Sequence, residues 1–165
     1  MTNNEFSILT REKLQGALDN ALAKIKAAIP DYSDCFPTAA STDGVYGKSE
    51  NKGGWTQSFW TGMLWLAYEF TGDDIYKETA EKLLPTFANR VDNMIGMGDH
   101  DIGFIFTLSM VAGYKVTGNE YMKEKAIAAA ECLLTASEKR DSSFRLQVRL
   151  IVKNPSSTAL SSTAS

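Results

Sequence analysis

The chain repeats itself once at an interval of 46 residues, and this repeat limits the folds that it can adopt. Residues 68–80 and residues 114–126 are identical at six of their thirteen positions. Both copies contain Thr-Gly followed by aspartate or asparagine. A glycine at this place ends a helix in the left-handed conformation, and the next residue caps a new helix. The repeat therefore predicts antiparallel helical hairpins, with a period typical of helical-repeat arrays.

Capping and turn residues place five helices along the chain. The loop expected over 30–54 contains the turn signals Asp43-Gly44 and Gly53-Gly54, and Pro30 ends the first helix. No segment shows sustained alternation between polar and apolar residues, so we expect little or no β-sheet. The predicted helices span 11–29, 56–71, 73–92, 102–117 and 119–136.

Two of these helices are apolar on nearly every side, which is typical of buried helices. The helices over 73–92 and 119–136 carry many Lys and Glu residues and are amphipathic. An inner and an outer layer of helical hairpins predicts an all-α toroid, or α/α barrel. Six hairpins would need roughly 276 residues, so this chain supplies two hairpins and the first helix of another. The apolar residues of the two inner helices are Phe59, Trp60, Met63, Leu64, Trp65 and Leu66 in the first, and Ile105, Phe106, Leu108, Met110 and Val111 in the second.

The overall charge and the chain start exclude several classes of function. The net charge is −3 without basic clusters, so we expect neither nucleic acid nor a membrane surface as a partner. The start has no signal-peptide pattern, and no apolar run approaches the length of a membrane span. We therefore expect a cytoplasmic protein. Cys35 and Cys132 have neither metal-ligand nor disulfide spacing.

The repeat also brings two candidate site residues into equivalent positions. Trp55 and Asp101 are 46 residues apart and each comes just before an inner helix. Both should therefore lie at the same mouth of the toroid. Sugar sites combine aromatic faces with carboxylates. Taken alone, Asp101 is better explained as an N-cap for the helix that starts at Ile102, and the lone histidine, His100, as a structural residue.

Two segments resemble the signatures of the unsaturated glucuronyl hydrolases, glycoside hydrolases with an (α/α)6 barrel. The first begins Trp55-Thr-Gln-Ser-Phe-Trp-Thr-Gly and continues to Thr-Gly-Asp73. The second is Asp99-His-Asp-Ile-Gly-Phe104, which contains His-Asp-Ile-Gly-Phe. The order and the spacing of the two segments match the family, and the resemblance covers residues 11–136.

The resemblance implies an activity and roles for three residues. The family hydrates the C4=C5 double bond of an unsaturated uronic acid at the non-reducing end of lyase-generated oligosaccharides, without metal or cofactor. Asp101 matches one of two active-site aspartates, Trp55 matches a tryptophan that lines the substrate site, and His100 is placed to orient the aspartate or contact substrate. The family's acid/base aspartate has no match here, and Ser58 replaces a usual glycine.

Two other functions stay open at this stage. An unsaturated rhamnogalacturonyl hydrolase would have the same fold and the same chemistry on pectin fragments. A non-catalytic helical-repeat module would bind a partner through the open end of the toroid, where apolar helix faces are exposed.

The composition changes near the end of the chain. Within 137–165, ten of 29 residues are Ser or Thr, and the 46-residue pattern stops. We therefore divide the chain into residues 1–136, the N-terminal part of a toroid domain, and a divergent tail over 137–165. A frameshift or premature end explains this tail, and a natural disordered tail is the alternative. A chain truncated in this way should be inactive alone.

Overall fold

A computed structural model describes residues 10–98 and 101–137, which form five helices and one short β-hairpin. Each helix begins and ends within one residue of the bounds predicted from the sequence. The fourth helix, α4, spans 102–117 and includes a π-helical turn at Thr107–Val111. The remaining elements are α1 (Arg11–Ala28), β1 (Phe36–Thr42), β2 (Val45–Ser49), α2 (Gln57–Thr71), α3 (Asp74–Asp92) and α5 (Glu120–Ser137).

The two copies of the repeat end their inner helices with the same backbone geometry. Gly72 has φ 69° and Gly118 has φ 71°, both in the left-handed region that glycine adopts without strain. Each glycine N–H donates to the carbonyl oxygen four residues earlier, in Tyr68 or Tyr114, at 2.7 Å in both copies. The predicted helix ends are confirmed.

The following helices begin with the predicted side-chain caps. Asp73 Oδ1 accepts a hydrogen bond from the N–H of Ile75 at 3.2 Å. Asn119 Oδ1 accepts one from the N–H of Tyr121 at 3.0 Å. Each cap satisfies a helix N–H that has no partner within the helix.

The 30–54 segment, which was predicted to be a loop, contains a short β-hairpin. β1 and β2 pair antiparallel, with Thr42 opposite Val45. Asp43 (φ 52°) and Gly44 (φ 78°) are both left-handed, as a tight two-residue β-hairpin turn requires. Apart from Phe36, most of the strand residues are exposed. They therefore lack the apolar alternation by which strands are recognised.

The helices form two layers. α2 packs against α1, α3 and α4, and α5 packs against both α3 and α4. α2 and α4 thus form an inner layer, with α1, α3 and α5 outside it. Trp60 and Trp65 are 3% and 1% exposed, so their predicted place in the core is confirmed.

The inner helices approach each other closely because small residues face large ones. A Cβ atom on Gly62 would lie 3.2 Å from Leu108 Cβ, and one on Gly113 would lie 2.8 Å from the ring of Trp65. The indole Nε1 of Trp65 also donates to the carbonyl oxygen of Ser109 at 2.9 Å, within the π-helical turn. Trp65 therefore fixes α2 against α4.

The prediction that the first inner helix is buried on every side was wrong for three residues. Phe59 is 44% exposed, Met63 is 40% exposed and Leu66 is 65% exposed. They lie on a side of α2 that no other element of the described chain covers. Apolar composition does not bury a helix face for which no neighbouring element is present.

A buried arginine joins the segments that precede the two inner helices. Arg90 has no exposed surface, and burial lowers the pKa of its guanidinium from its ordinary value. Nη1 donates to Asn51 Oδ1 (2.9 Å) and the Gly54 carbonyl (2.6 Å). Nε and Nη2 donate to the carbonyls of Ile95 (3.1 Å) and Gly96 (3.3 Å). One side chain thus fixes both segments.

Replacing Gly113 by alanine should destabilise the protein, because the new methyl group would overlap the Trp65 ring and Met122 Sδ. We expect a loss of about 1–3 kcal/mol, typical of overpacking, measured by urea unfolding. Gly103→Ala is the matched control in the same helix. A Cβ there meets nothing within 4 Å, so this change should be neutral or stabilise by up to about 1 kcal/mol. Equal effects of the two changes would contradict this packing.

Replacing Arg90 by lysine keeps the charge but removes the planar set of donors. Several buried carbonyl and amide oxygens would then lose their partner, so we expect a loss of about 3 kcal/mol or more in the free energy of unfolding. Arg11→Lys, at an exposed position of α1, should change nothing measurable. An Arg90→Lys protein as stable as the parent would show that the hydrogen bonds of Arg90 contribute little to the free energy of unfolding.

Asp73→Asn should keep the helix cap, as the natural Asn119 does, but lose the 2.9 Å ion pair with Lys26 Nζ. This pair and the cap hold the pKa of Asp73 below its ordinary value of 3.8. A depressed carboxyl pKa stabilises the fold above 3.8, and the effect is lost as the pH falls through the folded-state pKa. The variant should therefore be less stable at pH 7 and equally stable in strong acid, in urea unfolding at both pH values. A difference that grows in acid would contradict this assignment.

Candidate functional site

The contacts between α2 and α4 show that the two helices run parallel. Ser58 Oγ donates to the Phe104 carbonyl at 3.3 Å near their N-terminal ends. Further along, Trp65 Nε1 bonds to the Ser109 carbonyl at 2.9 Å. The residues just before the two helices therefore lie at the same end of the inner layer.

Three exposed aromatic rings cluster at this end, and we call them the aromatic cluster. The Trp55 ring centroid lies 5.9 Å from that of Phe59 and 6.3 Å from that of Phe104. The three side chains are 47%, 44% and 53% exposed, respectively. Large exposed apolar groups that contact each other are unusual on a monomer surface and mark binding sites.

Two members of this cluster were missed as site residues in the sequence. Phe59 was assigned to the core because its helix is apolar nearly all round. Phe104 lies three residues after Asp101, on the same helix face one turn on. That spacing was the available signal for Phe104, whereas no sequence signal showed that Phe59 is uncovered.

Asp101 occupies the N-cap position of α4, but its carboxylate does not cap the helix. Its backbone carbonyl accepts hydrogen bonds from the N–H groups of Phe104 at 3.0 Å and Ile105 at 3.3 Å. Its side chain is partly buried. The carboxylate is therefore not committed to capping, the alternative role for Asp101. His100, the third predicted site residue, lies outside the described residues, as does Asp99.

A buried hydrogen-bond acceptor, the side-chain oxygen of Gln57, lies two residues after Trp55 in the sequence. Gln57 is 8% exposed, and its Oε1 has no hydrogen-bond partner within the described part of the chain. A Cβ on Gly54 would lie 2.7 Å from this oxygen, so the glycine backbone passes close to it. A buried carbonyl oxygen without a partner can accept a hydrogen bond from a ligand hydroxyl or from water.

The arrangement suits the C–H faces and the hydroxyl groups of a sugar. Aromatic faces stack on sugar C–H surfaces, while a carboxylate and an amide oxygen accept hydrogen bonds from hydroxyl groups.

Within 10–98 and 101–137, no group of three or more His, Cys, Asp or Glu residues could hold a metal ion. In the same residues, no helix has the length and apolar character of a membrane span.

The described structure also contains an open groove elsewhere. It has a volume of about 420 Å³ and lies beside β2, where none of the aromatic cluster lines it. Its lining residues are Cys35, Lys48, Ser49, Glu50 and Lys52.

Comparison with curated proteins finds relatives that act on unsaturated sugars. The unsaturated chondroitin disaccharide hydrolase of Streptococcus pneumoniae is 36% identical over 130 residues, which are 79% of this chain and 33% of the relative. The unsaturated glucuronyl hydrolase of Bacillus sp. GL1 is 35% identical over 120 residues, 73% of this chain and 32% of the relative. The chain thus spans about a third of the relatives' length. No protein-family model matches the chain.

Solved structures agree with these relatives. The unsaturated glucuronyl hydrolase of Streptococcus agalactiae superposes with a TM-score of 0.74 and 28% identity, covering 86% of this chain and 45% of that enzyme. The Bacillus sp. GL1 enzyme gives a TM-score of 0.69 and 34% identity, covering 73% of this chain and 32% of that enzyme. The predicted fold, an incomplete α/α barrel, is confirmed. In sequence and in fold, the chain is related to the unsaturated glucuronyl hydrolases and corresponds to an N-terminal portion of them.

Proposed function

We propose that this chain carries one part of the substrate site of an unsaturated glucuronyl hydrolase. The observation that carries the proposal is the aromatic cluster of Trp55, Phe59 and Phe104 beside Asp101, at one end of two parallel inner helices. In this proposal Trp55 stacks on the sugar, and Asp101 faces the uronic acid ring as a catalytic residue. His100 precedes Asp101 directly in the sequence and contacts the substrate.

The reaction proposed for the whole enzyme is hydration of a vinyl ether. A carboxyl group gives a proton to C4 of the unsaturated uronate, and positive charge develops at C5 and the ring oxygen. Water adds at C5 and loses a proton, and the resulting hemiketal opens and releases the next sugar. A carboxylate near C5 stabilises this developing charge, which is the role that we assign to Asp101. The group that donates the proton belongs to the part of the enzyme not matched here.

Complexes of the relatives support this class of substrate. A Streptococcus agalactiae enzyme with asparagine in place of one aspartate was crystallised with dGlcA-GalNAc6S. Another variant of this kind was crystallised with dGlcA-Glc-Rha-Glc. Both ligands begin with dGlcA, and curated relatives are named as chondroitin disaccharide hydrolases. We therefore favour a glycosaminoglycan-type substrate over an unsaturated rhamnogalacturonan fragment, which no observation here supports.

The chain by itself should be inactive. It spans about a third of the relatives' length, and the described residues contribute an open surface without the rest of the ring. We also propose that the active enzyme works in the cytoplasm, on oligosaccharides that have already been cleaved by a lyase.

A chimeric enzyme tests the proposal. Residues 11–136 would replace the matching segment of the Streptococcus agalactiae hydrolase, and hydrolysis would be followed as loss of the ultraviolet absorbance of the C4=C5 bond. We expect the chimera to cleave an unsaturated chondroitin disaccharide. Asp101→Asn should lower kcat by about a hundredfold or more, because it removes charge from the reacting centre. Asp34→Asn, at an exposed position before β1, is the matched control and should change nothing.

The outcomes separate the two parts of the proposal. A folded chimera without any activity would contradict the assignment of this segment to such an enzyme. An active chimera that tolerates Asp101→Asn would contradict the role of Asp101 alone.

A further inference from the structure

Trp55 lies at the junction between a flexible segment and a helix. Gly53 and Gly54 precede it directly, and glycine has more backbone freedom than any other residue. The Trp55 side chain is 47% exposed, so packing covers it only in part. The residues around Trp55 in the sequence therefore do not fix the direction in which its ring points.

That direction depends on the two peptide planes that flank Trp55. Each peptide unit is planar, and a side chain leaves its Cα between two such planes. The plane after Trp55 is held by the start of α2, where the Thr56 carbonyl accepts a hydrogen bond from the N–H of Phe59 at 3.1 Å. The plane before it contains the Gly54 carbonyl. The group that holds this carbonyl therefore sets the direction of the Trp55 side chain.

Arg90, in the last turn of α3, holds the Gly54 carbonyl. Its Nη1 donates to this oxygen at 2.6 Å, the shortest of the four hydrogen bonds that the guanidinium makes in the described structure. All four go to neutral oxygens, and Arg90 is fully buried. The guanidinium thus orients backbone and amide groups, and it does so without contact to the solvent.

The segment before α4 closes the same position from the other side. Gly96 has φ 62°, and a Cβ there would lie 2.9 Å from the Cα of Gly53 and 2.8 Å from Nη2 of Arg90. The backbones of Gly53 and Gly96 are therefore in close contact. Arg90 lies beside this contact and donates to both segments, so the two glycine-containing segments have one fixed relation to each other.

We propose that Arg90 is a positioning residue for substrate binding, which aims the Trp55 ring at the sugar through the Gly54 carbonyl. This inference rests on the proposed function, in which Trp55 stacks on the sugar and Asp101 acts at the reacting atoms. Because the direct effect falls on Trp55, disturbing Arg90 should weaken sugar binding more than it slows the bond-making step.

A change in binding and a loss of folded protein have different kinetic signatures. Weaker stacking that affects the bound substrate and the transition state equally raises KM and leaves kcat nearly unchanged. Partial unfolding lowers the amount of active enzyme, which lowers the apparent kcat and leaves KM unchanged. The ratio of the two effects therefore separates a positioning role of Arg90 from a purely structural one.

Gly96→Ala tests the proposal without removing the guanidinium. The new methyl group would displace Arg90 Nη2 and the Gly53 backbone. In the chimeric enzyme, with an unsaturated chondroitin disaccharide as substrate, we expect KM to rise about three- to tenfold, the range of one aromatic contact. The value of kcat should change by less than about twofold.

Gly118→Ala is the matched control. Gly118 has φ 71°, so alanine there is strained in the same left-handed conformation, but its Cβ would meet nothing within 4 Å. It lies at the opposite end of α4 from the candidate site. KM should therefore stay at the parental value. Arg90→Lys should raise KM in the same direction as Gly96→Ala.

Iodide quenching of tryptophan fluorescence tests the placement of the ring in this chain itself. Trp60 and Trp65 are 3% and 1% exposed, so iodide reaches Trp55 in preference to them. A ring that has lost its anchor becomes more accessible. The quenching constant should rise in Gly96→Ala and in Arg90→Lys, and it should stay unchanged in Gly118→Ala.

The outcomes decide between the roles. Equal KM values and equal quenching for Gly96→Ala and Gly118→Ala would overturn the proposal. So would an Arg90→Lys enzyme whose apparent kcat falls while KM and quenching stay unchanged, because Arg90 would then be purely structural. A parental chimera without activity would count against the proposed function, and the quenching comparison would then decide by itself whether Arg90 places the Trp55 ring.

Discussion

The contact between Trp65 and Gly113 is the constraint on which the arrangement of this chain depends. Gly113 has no side chain, so the indole ring reaches the backbone of the next inner helix, and its N–H meets the Ser109 carbonyl at 2.9 Å. A close, directional contact of this kind fixes the separation and the rotation of two helices. It keeps α2 and α4 parallel. The residues before each helix therefore share one mouth, which places Trp55 and Asp101 at the same end.

Arg90 holds in place the two segments that precede the inner helices and lead to the candidate site residues. Its guanidinium is fully buried, and the acceptors that surround it are neutral oxygens from two separate segments. A buried cation is costly unless its donors are satisfied, so the two segments are fixed together. Gly54 immediately precedes Trp55, and Gly96 lies in the segment that leads to Asp101. A residue without contact to substrate thus contributes to preorganisation of the candidate site.

The same incompleteness explains the open site and the open side of the molecule. A ring of helical hairpins buries each inner helix between two others, and α2 has such a neighbour on one side within the described chain. Exposed apolar surface costs about 25 cal/mol per Å², so the exposed apolar side of α2 is costly to leave in water. Within the described chain, the exposed apolar side of α2 and the exposed aromatic cluster therefore have the same cause.

The sequence by itself determined the features that depend on neighbouring residues. The Thr-Gly turns, the Asp73 and Asn119 caps and the five helices follow from local hydrogen bonding and backbone freedom, and the repeat placed Trp55 and Asp101 in equivalent positions. Tertiary structure alone decided the exposure of Phe59, the buried network of Arg90 and the β-hairpin. Whether a side chain is covered depends on which element packs next to it. Local residues do not encode that neighbour, and both α2 and α4 are apolar on nearly every side although their surroundings differ.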